Sequence, residues 1–334
     1  MYLLVIDSSF EYLPESLKNY RNDNSIVFND FTPNPLYEDV VKGVILFNKN
    51  HCQEIVAIGG GSTIDVAKCI KLFATLDPNT NYLNQEFKEN NIKLTAIPTT
   101  AGTGSETTKY AVIYYEGNKQ SITHDSIIPS CVKFEPNVLG TLPLYQKKAT
   151  MLDALCHGIE SYWSVNSNEE SKKYAKEVIN IIVNNYQEYL NNNKNTFELM
   201  FKAANLAGKA INITQTTAGH AMCYKLTSLY GIAHGHSAAL CIKHIYPYIV
   251  SNTDKCIDYR GKNHLNNTLK ELQGIISIDK YLEIMNEMNL NKIEYKESDL
   301  EALTDSVNTT RLKNFPIELD KDSIKQLYVK ILGE

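Results

Sequence analysis

The sequence predicts an α/β domain built on a parallel sheet over residues 1–143 and an all-helical domain over residues 144–334. Three observations lead there. Short β-branched runs alternate with helix-period segments through the first part of the chain, the pattern of strands joined by helical crossovers. Beyond Pro143 apolar positions recur at helical spacing almost throughout, and the Gly and Pro punctuation of short strands disappears. At 334 residues the chain also exceeds the usual size of one hydrophobic core.

Taken in order, strands are expected at YLLVI (2–6), SIVF (25–28), EIVAI (54–58), KLTAI (93–97) and YAVIYY (110–115). Helical patterns fall between them near 11–20, 36–48 and 63–76, enough to cover both faces of a parallel sheet. In the second half, NNNKN at 191–195 reads as a polar helix-to-helix loop rather than a domain boundary. No internal repeat or low-complexity tail stands out.

Composition narrows the function classes. Apolar content of 43% and charged content of 21% are those of an ordinary globular protein. A formal net charge of −5 provides no broad basic surface, so neither nucleic acid nor anionic membrane is expected as a partner. No apolar run reaches the roughly 18 residues that would suggest a membrane span. The opening MYLLVIDSSF lacks a basic segment and a small-residue cleavage site, and seven cysteines without a CxxC fit a reducing compartment. A cytoplasmic location is therefore expected.

Two loops invite a phosphate-bearing ligand. After the third strand comes GGGSTIDVAK, where Gly59, Gly60 and Gly61 would let backbone N–H groups approach a phosphate at the N-terminus of the next helix. The same residues also fit a plain strand-to-helix turn with Ser62 as N-cap and Asp65 closing a capping box. After the fourth strand, IPTTAGTGSE (97–106) supplies hydroxyls and bare backbone suited to the adenosine diphosphate half of a dinucleotide, or forms a surface loop. Two such loops after adjacent parallel strands favour a ligand at the carboxyl edge of the sheet. Asp7, directly after the first strand, would accept from ribose hydroxyls and favour NAD(H) over NADP(H); otherwise it is a solvated turn residue.

The second domain carries a set of acids and bases. Asp153 and His157 are four apart in MLDALCHGIESYW and so share one helix face. His220 and His234 bracket a further helical run that ends in the turn AHGH. One carboxylate and three imidazoles suit a divalent transition metal: iron, zinc, nickel or manganese. Four other histidines, at 51, 124, 244 and 264, share no motif and are read as structural. Glu160 could bond an imidazole from behind or lie on the helix surface, and Tyr246 and Tyr248 are read as core.

GGGSTIDVAK, IPTTAGTGSE, DALCHGIESY, the His220–His234 pair and the closing RLKNFP together resemble the iron-containing, metal-dependent alcohol dehydrogenases. The resemblance implies a Rossmann-like first domain, an all-helical second domain as in the dehydroquinate synthase-like architecture, and a metal in the cleft between them. It implies Asp153, His157, His220 and His234 as ligands of Fe(II). It implies Asp7, Asn34, Gly60, Gly61, Ser62, Asp65, Thr99, Thr103 and Lys119 as the NAD(H) contacts, and a homodimer formed through the first domain. Where many members have a histidine four residues after the third ligand this chain has Tyr224, and Lys225 stands where proline is common. Tyr224 itself, or His236 in the HGH arrangement, would then relay the proton.

HGIESYWSV and AGKAINIT look most like a subgroup associated with phosphonoacetaldehyde reduction. Lys225 and Lys109 would suit an anionic aldehyde or remain solvated charges, and Arg311 is a further candidate or a salt-bridge partner. The expected reaction is hydride transfer between nicotinamide and a small aldehyde. Two other classes stay open: a metal-dependent lyase or cyclase of the dehydroquinate synthase-like type, and a nucleotide-binding relative without turnover.

Overall fold

In the computed structural model, which describes residues 1–333, the first strands form as expected. They are β1 (Tyr2–Ile6), β2 (Ser25–Phe28), β3 (Glu54–Gly59) and β4 (Lys93–Pro98). They lie in one parallel sheet, completed by β7 (Cys131–Val132), in the order β2-β1-β3-β4-β7. Leu3, Leu4 and Val5 of β1 and Ile55, Ala57 and Ile58 of β3 are fully buried, which explains why these strands read as unbroken apolar runs. The helices α2 (Tyr37–Lys49) and α3 (Gly61–Phe73) contribute Val40, Val44, Phe47, Ile64, Ala67 and Ile70 to the same core. The chain reverses its direction of winding between β1 and β3, which puts Asp7 and Gly60 at the two sides of that switch.

Two expectations for this part are corrected. YAVIYY does not join the parallel sheet. It forms β5 (Tyr110–Tyr115), paired antiparallel with β6 (Asn118–Thr123). The turn between them is Glu116-Gly117, with φ of 50° and 74°, and two left-handed residues are what a tight hairpin matching strand twist requires. The true fifth strand is only two residues long and leaves no periodic trace. The helical pattern at 11–20 becomes a 3₁₀ turn, Ser8–Tyr12, and a four-residue helix α1 (Glu15–Lys18). Pro14 divides them, because the residue before a proline is pushed toward extended backbone, and Leu13 has ψ of 159°.

The chain divides into two compact units, Met1–Leu142 and a second that begins at Pro143. The second unit is helical: α4 (Leu144–Trp163), α5 (Glu169–Leu190), α6 (Phe197–Thr214), α7 (Ala218–Tyr230) and α8 (His234–Ser251) form its centre. Around them run α9 (Lys262–Ile275), α10 (Ile278–Met288), α11 (Asp299–Asp305), α12 (Thr309–Leu312) and α13 (Lys321–Leu332). From Met151 to Trp163 every residue of α4 is buried, so this helix is the axis of the unit. Trp163 meets Tyr246 and Phe315 edge-on and donates its indole N–H to Thr217 Oγ1 at 3.0 Å. Tyr246 is core, as read from the sequence, and the 191–195 segment is the loop between α5 and α6. Among the described residues, no helix is long and apolar enough to cross a membrane.

Candidate active site

Asp153 and His157 sit one turn apart on buried α4, as their spacing requires. His220 comes from the first turn of α7 and His234 is the first residue of α8. Three imidazoles converge on one carboxylate oxygen: Asp153 Oδ1 lies 3.3 Å from His220 Nε2, 3.8 Å from His234 Nε2 and 3.9 Å from His157 Nε2. The His157 and His220 rings stack at 4.5 Å. Ligand atoms of Asp153, His220 and His234 all fall within 4.8 Å of one another, a cluster able to hold a metal ion.

Glu160 settles the reading left open above: it is fully buried, not a surface carboxylate. One of its oxygens faces His220 Nδ1. The other accepts from the Thr217 hydroxyl at 2.6 Å and from the backbone N–H of Gly219 at 2.8 Å and Thr217 at 3.2 Å. With Nδ1 engaged by a carboxylate, His220 turns Nε2 toward Asp153, where a cation could take the place of the ring proton. Burial would lower the His220 pKa, but Glu160 and Asp153 raise it to about 9. Burial would likewise raise the Asp153 carboxyl, but His157, His234 and His220 hold it well below the usual carboxylate range. An ionised carboxylate ringed by imidazole nitrogens has the donor chemistry of a site for a divalent transition metal, whose binding would displace the ring protons.

Gly235 explains how His234 gets close enough. A Cβ there would stand 1.9 Å from the Ala149 carbonyl oxygen and 2.7 Å from Asp153 Cβ, so only glycine lets the start of α8 lie against α4. His234 Nδ1 has Cys223 Sγ at 3.6 Å, a neighbour that sequence reasoning passed over.

The two proton-relay candidates are placed differently. Tyr224 stacks on His234, with ring centroids 5.5 Å apart and planes 17° apart, and the Arg311 guanidinium lies 5.5 Å over its ring. Burial pushes the Tyr224 phenol well above its ordinary pKa, so it stays protonated at neutral pH. His236 is buried with Nδ1 3.1 Å from the Tyr145 hydroxyl, two helical turns up α4 from Asp153. Burial pulls it down to about 4, leaving a neutral ring. Lys225 is half-buried on α7, and Lys109 pairs with Asp125 at 3.4 Å.

In the first unit, Asp7, Gly60 and Thr99 all follow the carboxyl ends of adjacent parallel strands. Asp7 accepts from Ser9 N at 2.9 Å and from Thr63 Oγ1 at 2.7 Å. Gly60, not Ser62, is the N-cap of α3, and no side chain caps that helix, so its first N–H groups stay available to an anion. Asp65 closes no capping box; it accepts from Ser105 Oγ at 2.6 Å and from Val112 N at 3.0 Å. Thr103 packs where a Gly61 Cβ would be, at 2.8 Å, bringing the second loop against the first. Asn34 is exposed in a left-handed turn beside Pro35, whose carbonyl accepts from Tyr114 N at 2.8 Å, and Tyr114 is the cross-strand partner of Lys119. Lys68 was missed. Its buried ammonium donates to Ser105 Oγ, Thr108 O, Thr108 Oγ1 and Tyr110 O at 2.8–3.1 Å. A lysine inside so apolar a helix was the clue. These uncapped N–H groups and clustered hydroxyls fit a dinucleotide phosphate.

Models of known families match both units: "Iron-containing alcohol dehydrogenase" over residues 2–136 and "Fe-containing alcohol dehydrogenase family, C-terminal" over residues 147–332. The chain belongs to the iron-containing alcohol dehydrogenase family. Aldehyde-alcohol dehydrogenase 2 of Entamoeba histolytica is 32% identical over 70% of this chain, which spans only 28% of that protein's length. Phosphonoacetaldehyde reductase of Streptomyces viridochromogenes is 27% identical over 84% of this chain and 75% of its own. Sulfoacetaldehyde reductase of Bifidobacterium kashiwanohense, solved with NAD+, superposes with a TM-score of 0.86 at 23% identity, covering 99% of this chain and 90% of that one. That last likeness is one of fold. The family is one of iron-containing alcohol dehydrogenases, which are oxidoreductases.

Proposed function

We propose that this member of the iron-containing alcohol dehydrogenase family catalyses reversible NAD(H)-linked reduction of a small anionic aldehyde, such as phosphonoacetaldehyde, in a reducing, cytosolic setting. The observation that carries the reading is the convergence of His157, His220 and His234 on one buried oxygen of Asp153. The phosphonoacetaldehyde reductase relative supports the substrate, and seven free cysteines support the compartment.

Asp153, His157, His220 and His234 would hold the metal. Gly60, Gly61, Ser62, Thr99 and Thr103 would hold the cofactor's phosphates, with Asp7 for the ribose and Asn34, Asp65 and Lys119 around them. Iron(II) supplies Lewis-acid polarisation of the substrate oxygen and NAD(H) supplies the hydride. Glu160 would fix the His220 ring through Nδ1, so that Nε2 is the nitrogen left to meet the metal. Tyr224 would relay the proton, a reading supported by its stacking on His234 and by a phenol that stays protonated at neutral pH. His236, turned to Tyr145, has no such position.

Iron-loaded protein should oxidise NADH with phosphonoacetaldehyde and lose that activity on chelation, with recovery when Fe(II) is restored. Equal turnover in metal-free protein, or no turnover of any short aldehyde, would reject the reading.

A further inference from the structure

The chain has three arginines. Arg21 pairs with Glu11 at 3.0 Å. Arg260 is saturated, with Asp258 on one side and Ser164 and Ser167 on the other. Arg311 is different. Among the described residues it meets no carboxylate, and its one side-chain hydrogen bond goes from Nη1 to Thr216 Oγ1. A guanidinium has five donors in a rigid fork, and at this half-buried position those not turned to Thr216 stay available to an anion.

Its location says which anion. The guanidinium lies 5.5 Å over one ring, Tyr224, whose own neighbour at 5.5 Å is His234. Two stacking steps therefore separate the free donors from the metal ligands. The platform beneath is stiff: Asn308 caps α12 through Arg311 N at 3.2 Å, and Asn314 holds the Thr216 carbonyl at 3.1 Å. Lys225 lies one residue beyond Tyr224, about 100° further round α7, and does not share that face.

We infer that Arg311, rather than Lys225, is the specificity-determining residue that receives the anionic end of a short aldehyde whose carbonyl lies at the Asp153–His234 cluster. Phosphonate, sulfonate and carboxylate share the required fork-matching oxygens. This inference rests on the redox reading above.

The test compares wild type with R311M and R311K, all iron-loaded. NADH oxidation is followed with phosphonoacetaldehyde, sulfoacetaldehyde and neutral propionaldehyde. In R311M the ratio of kcat/KM for the charged aldehyde to that for the neutral one should fall about 100-fold, mainly through KM. R311K, a point charge without the fork, should recover only part of that loss. Calorimetric binding of 2-hydroxyethylphosphonate should weaken to a similar degree in R311M, independent of turnover. The larger loss of the two acids names the preferred headgroup. Equal losses on charged and neutral aldehydes would make Arg311 a mere support for Tyr224 and overturn the inference. So would a wild type that does not prefer the charged aldehydes while still reducing neutral ones. Failure to reduce any aldehyde would overturn the redox reading itself.

Discussion

Glu160 grips His220 from behind: one carboxylate oxygen faces the imidazole Nδ1, and the other collects the N–H groups that open α7. The same side chain therefore orients a metal ligand and anchors the helix that carries it. E160Q keeps the shape but can offer its NH2 group to Nδ1, weakening the preference for Nε2 as the ligand. Metal affinity should drop about 10–100-fold, measured by chelator competition. E160A should also cost about 3–5 kcal/mol in denaturant unfolding, because buried donors lose their acceptor.

Gly235 has no room for a methyl group, since the obstacle is the Ala149 backbone and not a movable side chain. G235A should push α8 away from α4, costing at least about 1–3 kcal/mol in stability. Metal content should fall with it, although no ligand is changed. A G235A protein with full metal occupancy and unchanged melting would contradict this packing.

Asp153 supplies the only carboxylate in the ligand cluster. D153A should abolish bound iron and turnover together. Chelation of wild type should lower its melting temperature, by an amount equivalent to about 2.7 kcal/mol if free metal had stood at a hundred times its dissociation constant. The D153A protein should show no such chelator effect.

Lys68 offers a test in the first unit. K68M would strand the acceptors of Ser105, Thr108 and Tyr110 and loosen the loop that bears Thr99 and Thr103, weakening NADH binding. Burial pulls the Lys68 ammonium down to about 8 from 10.5. The folded chain then sheds this proton before the unfolded chain does, so its contribution rises as pH climbs from about 8 to 10.5. Wild type should gain on K68M by about 3 kcal/mol across that window in paired unfolding curves. A constant difference would show that Lys68 stays charged.

The parallel sheet was legible because its central strands are buried on both faces and therefore read as continuous apolar runs. Hairpin membership of YAVIYY was not, since an isolated apolar run looks the same whichever partner it finds, and only Glu116-Gly117 betrayed the turn. The clustering of Asp153, His220 and His234 was legible through helical spacing and motif. Glu160 remained open because its burial depends on α7 arriving from sixty residues away in sequence. Ser62 looked like a cap, yet the helix starts one residue earlier, at Gly61, on a backbone that needs no side chain.

The four residues proposed to hold the metal are unequally sheltered. Side-chain exposure is 4% for Asp153, 6% for His157 and 2% for His220, against 36% for His234. His234 is also the first residue of its helix, where fraying costs least. An ion entering from solvent would meet that imidazole first and, on leaving, shed it last. How readily His234 swings aside would set how fast iron is traded with the surroundings, even where the equilibrium affinity is governed by the three hidden partners.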